Sequence, residues 1–367
     1  MIAAVLYRDG DWNKGMKEFE NIKIKKIDTS VIKKAKKNWD SIAKPLGSLG
    51  RLEELVIQLA GIFADEDVRI DKRCALIACA DNGVVAEGVT QSDSQVTVSV
   101  AREIAEGKSN INIMGKAANA DVYAIDVGML HDAKCEGIIN RKIASGTGNI
   151  TQGPAMRREQ ALQAVNTGVS LVGEMKQKGY QLIVTGEMGI GNTTTSSALA
   201  AVLLNRSAKE VTGRGAGLSA DGFGKKIAAI QKAIEVNNAA TQDEPLLLLS
   251  KLGGYDIAAM TGMFIGGAVY GLPILIDGII SSVAALLACR LVPSCRDFMI
   301  ATHVTEEPAG MAILDMLGCK PVIHAGMYLG EGTGAVCMLP LLDIALSEYR
   351  YAHRFADTDI AQYEKLY

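Results

Sequence analysis

The stretch QLIVTGEMGIGNTTTSSALAAVLL, residues 181–204, decides the fold that we predict for this chain. Its apolar start, QLIVT, is typical of a buried strand, and the part from Thr194 onward has the composition of a helix. The glycine-rich loop GEMGIGN joins the two, and Asn192 or Thr193 can cap the helix that follows. Such a unit brings the first backbone amides of the helix to the strand end, which favours a phosphate site.

The glycine-rich loop departs from both common nucleotide-binding motifs. No Gly-Lys-Ser/Thr triplet follows it, as a P-loop requires, and its glycines lack the GxGxxG spacing. A second glycine-rich segment, GRGAGLSADGFGKK (213–226), ends in Lys225 and Lys226. Backbone amides together with a lysine ammonium would suit one phosphomonoester, although lysines beside loops are usually solvated.

From Cys74 onward, short apolar runs alternate with segments of helical periodicity. The runs that we interpret as buried strands are CALIACA (74–80), VYAIDV (122–127), QLIVT (181–185), PILID (273–277) and FMIAT (298–302). The helical segments include 159–178, 222–237 and 306–317. This alternation predicts an α/β fold with a parallel, Rossmann-like sheet covered by helices on both faces. The two chain ends are predicted to be helical: the first seventy residues, with a break at KPLGSLG (44–50), and the segment from about 335 to 365.

Composition excludes several classes of function. The 367 residues carry a net charge of −3 with no basic stripe, so nucleic acid is not an expected partner. Seven scattered cysteines without a CxxC motif and four dispersed histidines predict neither a metal site nor a haem site, and we expect a reducing cytoplasmic location. The uncharged stretch 257–276 is long enough to span a membrane, but its glycines and Pro273 favour a buried helix, a turn and a strand.

Acidic residues beside glycines follow most of the predicted strands. These residues are Asp81, Asp126, Glu187, Asp277 and Glu331. Because ligands bind at the carboxyl ends of strands in open α/β sheets, the five turns predict carboxylates around one cleft. Asp and Gly also make good turns and helix caps, which is the alternative for any single turn. Burial in GEGTG (330–334) would raise the pKa of Glu331 and suit it to act as a general base; the alternative is a hydrogen bond to a neighbouring turn.

Seven motifs, in order along the chain, resemble the nicotinate-nucleotide:dimethylbenzimidazole phosphoribosyltransferases, which make the α-ribotide for the lower ligand of cobamides. The motifs are KPLGSLGRLEELVIQLAG (44–61), ADNGVVAEGV (80–89), GTGNITQGPAM (146–156), GEMGIGNTTTSSA (186–198), GGYDIAAMTG (253–262), PILIDGIISSVAAL (273–286) and YLGEGTGA (328–335). The resemblance implies a large Rossmann-like domain, residues 71–335. It also implies a small helical domain built from residues 1–70 and 336–367, and a dimer.

The resemblance also implies the substrates and the site. The donor would be nicotinate mononucleotide and the acceptor an aromatic base, with no metal and no cofactor. The catalytic residues would be Glu331 and Glu187. The phosphate and ribose contacts would be Gly189, Ile190, Asn192, Gly215, Ala216, Lys226 and Thr305. The base pocket would comprise Asp81, Asn82, Ser92, Val96, Val100, Met327 and Leu329.

Two positions in the predicted base pocket depart from the family pattern. Asn82 stands where the family usually has histidine, and Val100 stands where relatives have a pocket glutamine. These changes put the acceptor in doubt. The expected acceptor is a benzimidazole or a purine; alternatively, the chain is the catalytic subunit of a heterodimer that uses phenol or p-cresol. The dimer would be either a homodimer or a heterodimer with a homologous chain. A non-catalytic ribotide-binding paralogue and a dinucleotide-dependent oxidoreductase fit less well, because Glu331, Glu187 and Lys226 are retained and GxGxxG is missing.

Overall fold

The computed structural model describes residue 19, residues 22–215 and residues 217–364. Six strands form one sheet: β1 (Arg73–Ala80), β2 (Ala120–Gly128), β3 (Ile139–Asn140), β4 (Leu182–Met188), β5 (Ile274–Ile276) and β6 (Met299–Ala301). A further pair, β7 (His303–Thr305) and β8 (Ile323–Met327), forms a small parallel sheet. Each of the five predicted strands is present.

The large sheet is parallel throughout and has the strand order β3-β2-β1-β4-β5-β6. This is the order of a doubly wound Rossmann sheet, so the predicted fold class is confirmed. The order reverses between β1 and β4, and the carboxyl ends of these two neighbours therefore bound a crevice in which ligands bind in such folds.

The apolar runs form strands because the sheet is buried on both faces. Along β1, Leu76 and Ala78 pack into the core on one face, whereas Ala75 and Ile77 pack into the core on the other, and all four are fully buried. A strand with two buried faces needs continuous rather than alternating hydrophobicity, which is the pattern that the sequence carries.

Helices cover both faces of the sheet. On the first face lie α5 (Arg158–Gln177), α6 (Asn192–Leu204), α8 (Ala220–Val236), α9 (Pro245–Leu252), α10 (Tyr255–Tyr270), α11 (Ile279–Leu291) and α12 (Gly310–Met316). On the second face lie α1 (Thr29–Ser41), α2 (Arg51–Phe63), α3 (Gln95–Ala105), α4 (Asn110–Ala117), α13 (Thr333–Val336) and α14 (Met338–Tyr351). A single short helix, α7 (Ala208–Val211), links α6 to α8 within the described chain.

Helices α1 and α14 meet on the second face. The rings of Trp39 in α1 and Tyr349 in α14 are 5.2 Å apart between centroids. The prediction of helix up to residue 365 is wrong beyond Tyr351, because the chain turns back and Arg354 forms an antiparallel bridge with Ile42. The domain boundaries at residues 70 and 335 remain a prediction.

The uncharged stretch 257–276 divides as predicted into a buried helix, α10, and the buried strand β5. Over the residues that the structure describes, no helix has both the length and the apolar character needed to cross a membrane.

Helices α5 and α10 touch backbone to backbone at glycines. A Cβ atom added at Gly262 would lie 1.8 Å from the carbonyl oxygen of Val165, and one at Gly168 would lie 1.9 Å from that of Ala259. We therefore expect Gly262→Ala to lower the free energy of unfolding by about 1–3 kcal/mol or more, because the helices must move apart. Denaturant unfolding measures the change.

The control for this substitution is Gly224→Ala in α8. Gly224 is exposed, and no atom lies within 4 Å of an added Cβ. This variant should gain roughly 0.5–1 kcal/mol from the higher helix propensity of alanine. Equal stabilities of the two variants would contradict the close approach of α5 and α10.

Candidate active site

A cavity of about 720 Å³ opens at the carboxyl ends of the strands, beside the reversal point between β1 and β4. Its size suits a nucleotide-sized ligand. Most of the predicted site residues line it: Glu187, Gly189, Ile190, Asn192, Gly215, Lys226, Thr305, Ser92, Val96, Val100, Met327, Leu329 and Glu331. Ala216, the remaining predicted phosphate contact, lies outside the described residues.

Asp81 and Asn82 do not line the cavity, which departs from the predicted base-pocket contact. The Asp81 carboxylate accepts hydrogen bonds from the Thr97 hydroxyl (2.6 Å) and the Leu130 amide (2.7 Å), so its oxygens face the protein. The Asn82 side-chain amide donates to the carbonyl of Ile190 at 3.3 Å. Both side chains therefore support the loops behind the cavity wall rather than form the wall itself.

A buried lysine forms one end of the cavity. Lys226 has no solvent-exposed surface, and its Nζ donates to the Thr193 hydroxyl (2.9 Å) and the Gly213 carbonyl (3.1 Å). Burial lowers the pKa of this lysine to about 8, which leaves the ammonium in the majority at neutral pH. Both hydrogen-bond partners are neutral, and the charge of Glu307 acts on the ammonium from beyond ion-pair distance, so an incoming anion would be the first direct ionic partner among the described residues.

The first turn of α6 lies next to this lysine, because Thr193 belongs to it. The helix begins at Asn192 after Gly191, which has a positive φ of 93°, and no side chain of the described residues caps it. The predicted capping by Asn192 or Thr193 is therefore wrong. An uncapped helix N-terminus beside a buried ammonium is a favourable environment for a phosphate group.

Asn192 instead links two buried carboxyl groups. Its Nδ2 atom donates to Glu187 and, at 3.0 Å, to Asp256. Burial and the charge of Asp256 raise the pKa of Glu187 to about 8. Burial likewise raises the pKa of Asp256 to about 6.

The loop that carries Glu331 passes directly over the end of β4. A Cβ atom on Gly186 would lie 2.8 Å from the Glu331 carbonyl oxygen, so only glycine lets the two segments approach this closely. Asp277 anchors the loop, since its carboxylate accepts hydrogen bonds from the amides of Gly332 (3.1 Å) and Ala335 (2.9 Å).

Glu331 itself is held in an unusual state. Its φ of 59° lies in the left-handed region, which is strained for a residue other than glycine. Its Oε2 atom is buried and makes no hydrogen bond within the described residues. Burial, followed by the charges of Glu103 and Asp277, raises its pKa, while the Ile111 amide opposes this shift. A carboxylate of this kind is suited to accept a proton from a ligand in the cavity.

The structure adds residues to which the sequence analysis assigned no role. Arg214, His303, Glu307, Tyr328 and Met114 also line the cavity. Asp277 stood out as an acid-glycine turn, but its anchoring of the Glu331 loop depends on contacts 55 and 58 residues away. Asp256 lies in the quoted motif GGYDIAAMTG, yet nothing local marks it, because it follows no strand.

Comparisons with known proteins agree with this geometry. The family model described as Phosphoribosyltransferase (DBI_PRT) matches residues 24–360. The chain is 45% identical over 343 residues to the nicotinate-nucleotide–dimethylbenzimidazole phosphoribosyltransferase of Ruminiclostridium cellulolyticum, covering 94% of this chain and 97% of the relative. It is 45% identical over 325 residues to the enzyme of the same name from Acetivibrio thermocellus, with 89% and 92% covered.

A solved structure is similar over nearly its whole length. The crystal structure of CobT from Thermus thermophilus matches with a TM-score of 0.85 at 33% identity, and the match covers 91% of this chain and 99% of that one.

Proposed function

This chain belongs to the nicotinate-nucleotide–dimethylbenzimidazole phosphoribosyltransferase family, and we propose that its cavity moves the 5-phosphoribosyl group of nicotinate mononucleotide to an aromatic base. The chain is an enzyme, a phosphoribosyltransferase of cobamide lower-ligand assembly. The observation that carries the proposed site is the presence of the Lys226 ammonium and the Glu331 carboxyl on the walls of one cavity. The reaction needs both a binding site for the phosphate of the donor and a base for the acceptor.

Lys226 and the first turn of α6 would hold the 5′-phosphate of the donor. The phosphate would give the buried ammonium the charged partner that its neutral hydrogen bonds do not supply. Gly191 and Gly215, both at positive φ, allow the backbone to approach the phosphate closely.

The acceptor would be activated by Glu331. Nicotinate leaves ribose as a neutral pyridine ring, so the leaving group needs no general acid. The acceptor does need a base, because it loses a proton as its nitrogen bonds to C1′. Attack opposite the leaving group would convert the β-linked donor into the α-linked ribotide.

The acidic floor of the cavity would favour a positively charged transition state. Glu187, Asp277 and Glu331 line it, and none of the three forms an ion pair in the part of the chain that the structure describes. As the bond between C1′ and nicotinate breaks, positive charge spreads over the ribose ring. Preorganised carboxyl groups stabilise that charge without reorganisation of solvent.

One incubation tests the proposed acceptor. Purified protein is mixed with nicotinate mononucleotide and equal amounts of dimethylbenzimidazole, adenine, phenol and p-cresol, and the ribotides are identified by mass spectrometry. We expect the dimethylbenzimidazole ribotide to dominate. A product made only from phenols would favour the alternative acceptor. Nicotinate release that is independent of every acceptor would contradict the mechanism.

The proposal also covers the oligomeric state and the cellular location of the enzyme. We propose that the enzyme works as a dimer, and light scattering of the chain expressed alone distinguishes a homodimer from a subunit that needs a homologous partner. A cytoplasmic location fits the seven free cysteines, because thiols persist in a reducing compartment.

A further inference from the structure

We propose that Asp256, which lies behind the cavity wall, is a positioning residue that controls the orientation and charge of the Glu187 carboxyl through Asn192. This inference rests on the proposed function only in its predictions for enzyme kinetics. The arrangement of the three side chains is a property of the free protein.

Hydrogen bonds connect the cavity to Asp256 behind its wall. Glu187 and Asn192 line the cavity, whereas Asp256 does not and has no exposed surface. The Asn192 amide group has two hydrogens, and it donates to Glu187 Oε2 and to Asp256 Oδ2. Because both hydrogens are engaged, the amide cannot rotate without losing one of the two bonds.

The surrounding backbone leaves little room for another arrangement. A Cβ on Gly189 would lie 2.9 Å from Asp256 Oδ2 and 3.2 Å from Asn192 Nδ2, so the Gly189 backbone lies against the pair. The second oxygen of Asp256, Oδ1, accepts a hydrogen bond from the Ile257 amide at 2.9 Å, in the first turn of α10. A helix N-terminus favours the charged form of a carboxyl group.

The same contacts direct the free oxygen of Glu187. Since Oε2 accepts from Asn192, the other oxygen, Oε1, faces the loop that carries Glu331, and a Cβ on Gly330 would lie 2.8 Å from it. Asp256 thus acts at a distance: it holds Asn192, and Asn192 turns Glu187 Oε1 towards the loop that carries Glu331.

Asp256 also affects the charge of Glu187. Two carboxyl groups joined by one neutral amide repel each other when both are ionised, so the pair retains one proton near neutral pH. The other charged groups that act on the pair are Asp81 at the end of β1, Asp277 after β5 and Glu331 after β8. All are acidic and favour retention of that proton. Binding of a cationic pyridinium would release it from Glu187 to solvent, leaving a carboxylate beside the ribose.

Two substitutions should change the ionisation of Glu187 in opposite directions. Asp256→Asn removes the repelling charge at constant shape, so the pKa of Glu187 should fall by roughly one pH unit or more. Asn192→Leu removes the hydrogen bond that stabilises the Glu187 carboxylate, so this pKa should rise. The probe is the C=O band of the protonated Glu187 carboxyl in difference infrared spectra recorded as a function of pH. The band is assigned by its absence in Glu187→Gln, and the pH at which it is half lost gives the pKa.

Enzyme kinetics provide the second readout. In Asp256→Asn, the Glu187 component of the acidic limb of kcat/KM should move to lower pH, and kcat should fall because the neutral amide oxygen at position 256 holds Asn192 less strongly than a carboxylate does. Glu174→Gln, a partly exposed site on α5 that is paired with Arg141, is the matched control and should change neither quantity.

The outcomes separate this inference from the proposed function. Opposite changes in the pKa at which the infrared band titrates support the inference, whether or not nicotinate mononucleotide is a substrate. Failure of nicotinate mononucleotide to react would overturn only the proposed function. If Asp256→Asn folds and the pKa at which the band titrates is unchanged, the inference is overturned, whatever the activity of the variant. If Asp256→Asn does not fold, the Asn192→Leu variant decides. An unchanged pKa of Glu187 in that variant would mean that Asn192 does not transmit the effect of Asp256, and this would overturn the inference.

Discussion

Glu331→Gln should reduce kcat by about 10²–10⁴-fold while leaving the KM for nicotinate mononucleotide within a few fold, because the change removes a general base and keeps the shape. Glutamine has no oxygen able to take a proton from the acceptor. The Oε2 atom of this group is buried and makes no hydrogen bond within the described residues. Steady-state kinetics with dimethylbenzimidazole as acceptor measure the effect, and a variant that kept a tenth of kcat would contradict the assignment.

The pH profile provides the control for this assignment. Burial raises the pKa of Glu331, and the exposed Glu103 adds to that shift. The base is active when ionised, so the rate should rise with pH through the raised pKa. Glu103→Gln removes one source of the shift, and the Glu331 component of the acidic limb should therefore move to lower pH while kcat on the plateau stays unchanged. An unmoved limb would mean that Glu331 does not control it.

Lys226→Met should raise the KM for nicotinate mononucleotide by roughly 30- to 3,000-fold, which corresponds to a loss of about 2–5 kcal/mol for one partner of a buried charge pair. The same change should leave the melting temperature equal or higher. Within the described residues this buried ammonium has no ion-pair partner, and methionine removes the desolvation cost at similar volume. The thermal shift that nicotinate mononucleotide induces in the parent should disappear.

The adjacent lysine is the matched control. Lys225 is more than half exposed and forms an ion pair with Asp221 at 2.8 Å, one turn earlier on the same helix. Lys225→Met should change neither KM nor the ligand-induced thermal shift, because the exposed pair contributes little. Equal effects of the two substitutions would place the phosphate elsewhere in the cavity.

The elements of the fold were predictable because the signal for each is local. A strand with two buried faces reads as a continuous apolar run, and CALIACA and QLIVT carry that signal without reference to the rest of the chain. The tail after Tyr351 was mispredicted for the converse reason. Its sequence suits a helix, but a tertiary contact between Arg354 and Ile42 turns the chain back.

The composition of the site was less predictable than its location. Glycine-rich turns after strands indicated Glu187 and Glu331, and a separate glycine-rich segment indicated Lys226; all three line the cavity. The family resemblance implied that Asp81 and Asn82 lie in the base pocket, but neither lines the cavity, since each makes hydrogen bonds behind its wall. Asp256 escaped detection because its partner, Asn192, is 64 residues away.

The sequence by itself determined the strands, the helices and the motifs that identify the family, because hydrophobic pattern and turn chemistry act between near neighbours in the chain. Only the tertiary structure decided the charge and orientation of the groups in the cavity. Desolvation and carboxyl–carboxyl repulsion depend on which distant segments come within a few ångströms of each other. The sequence therefore predicted that Glu187 and Lys226 belong to the site, whereas their raised and lowered pKa values arise from the packing around them.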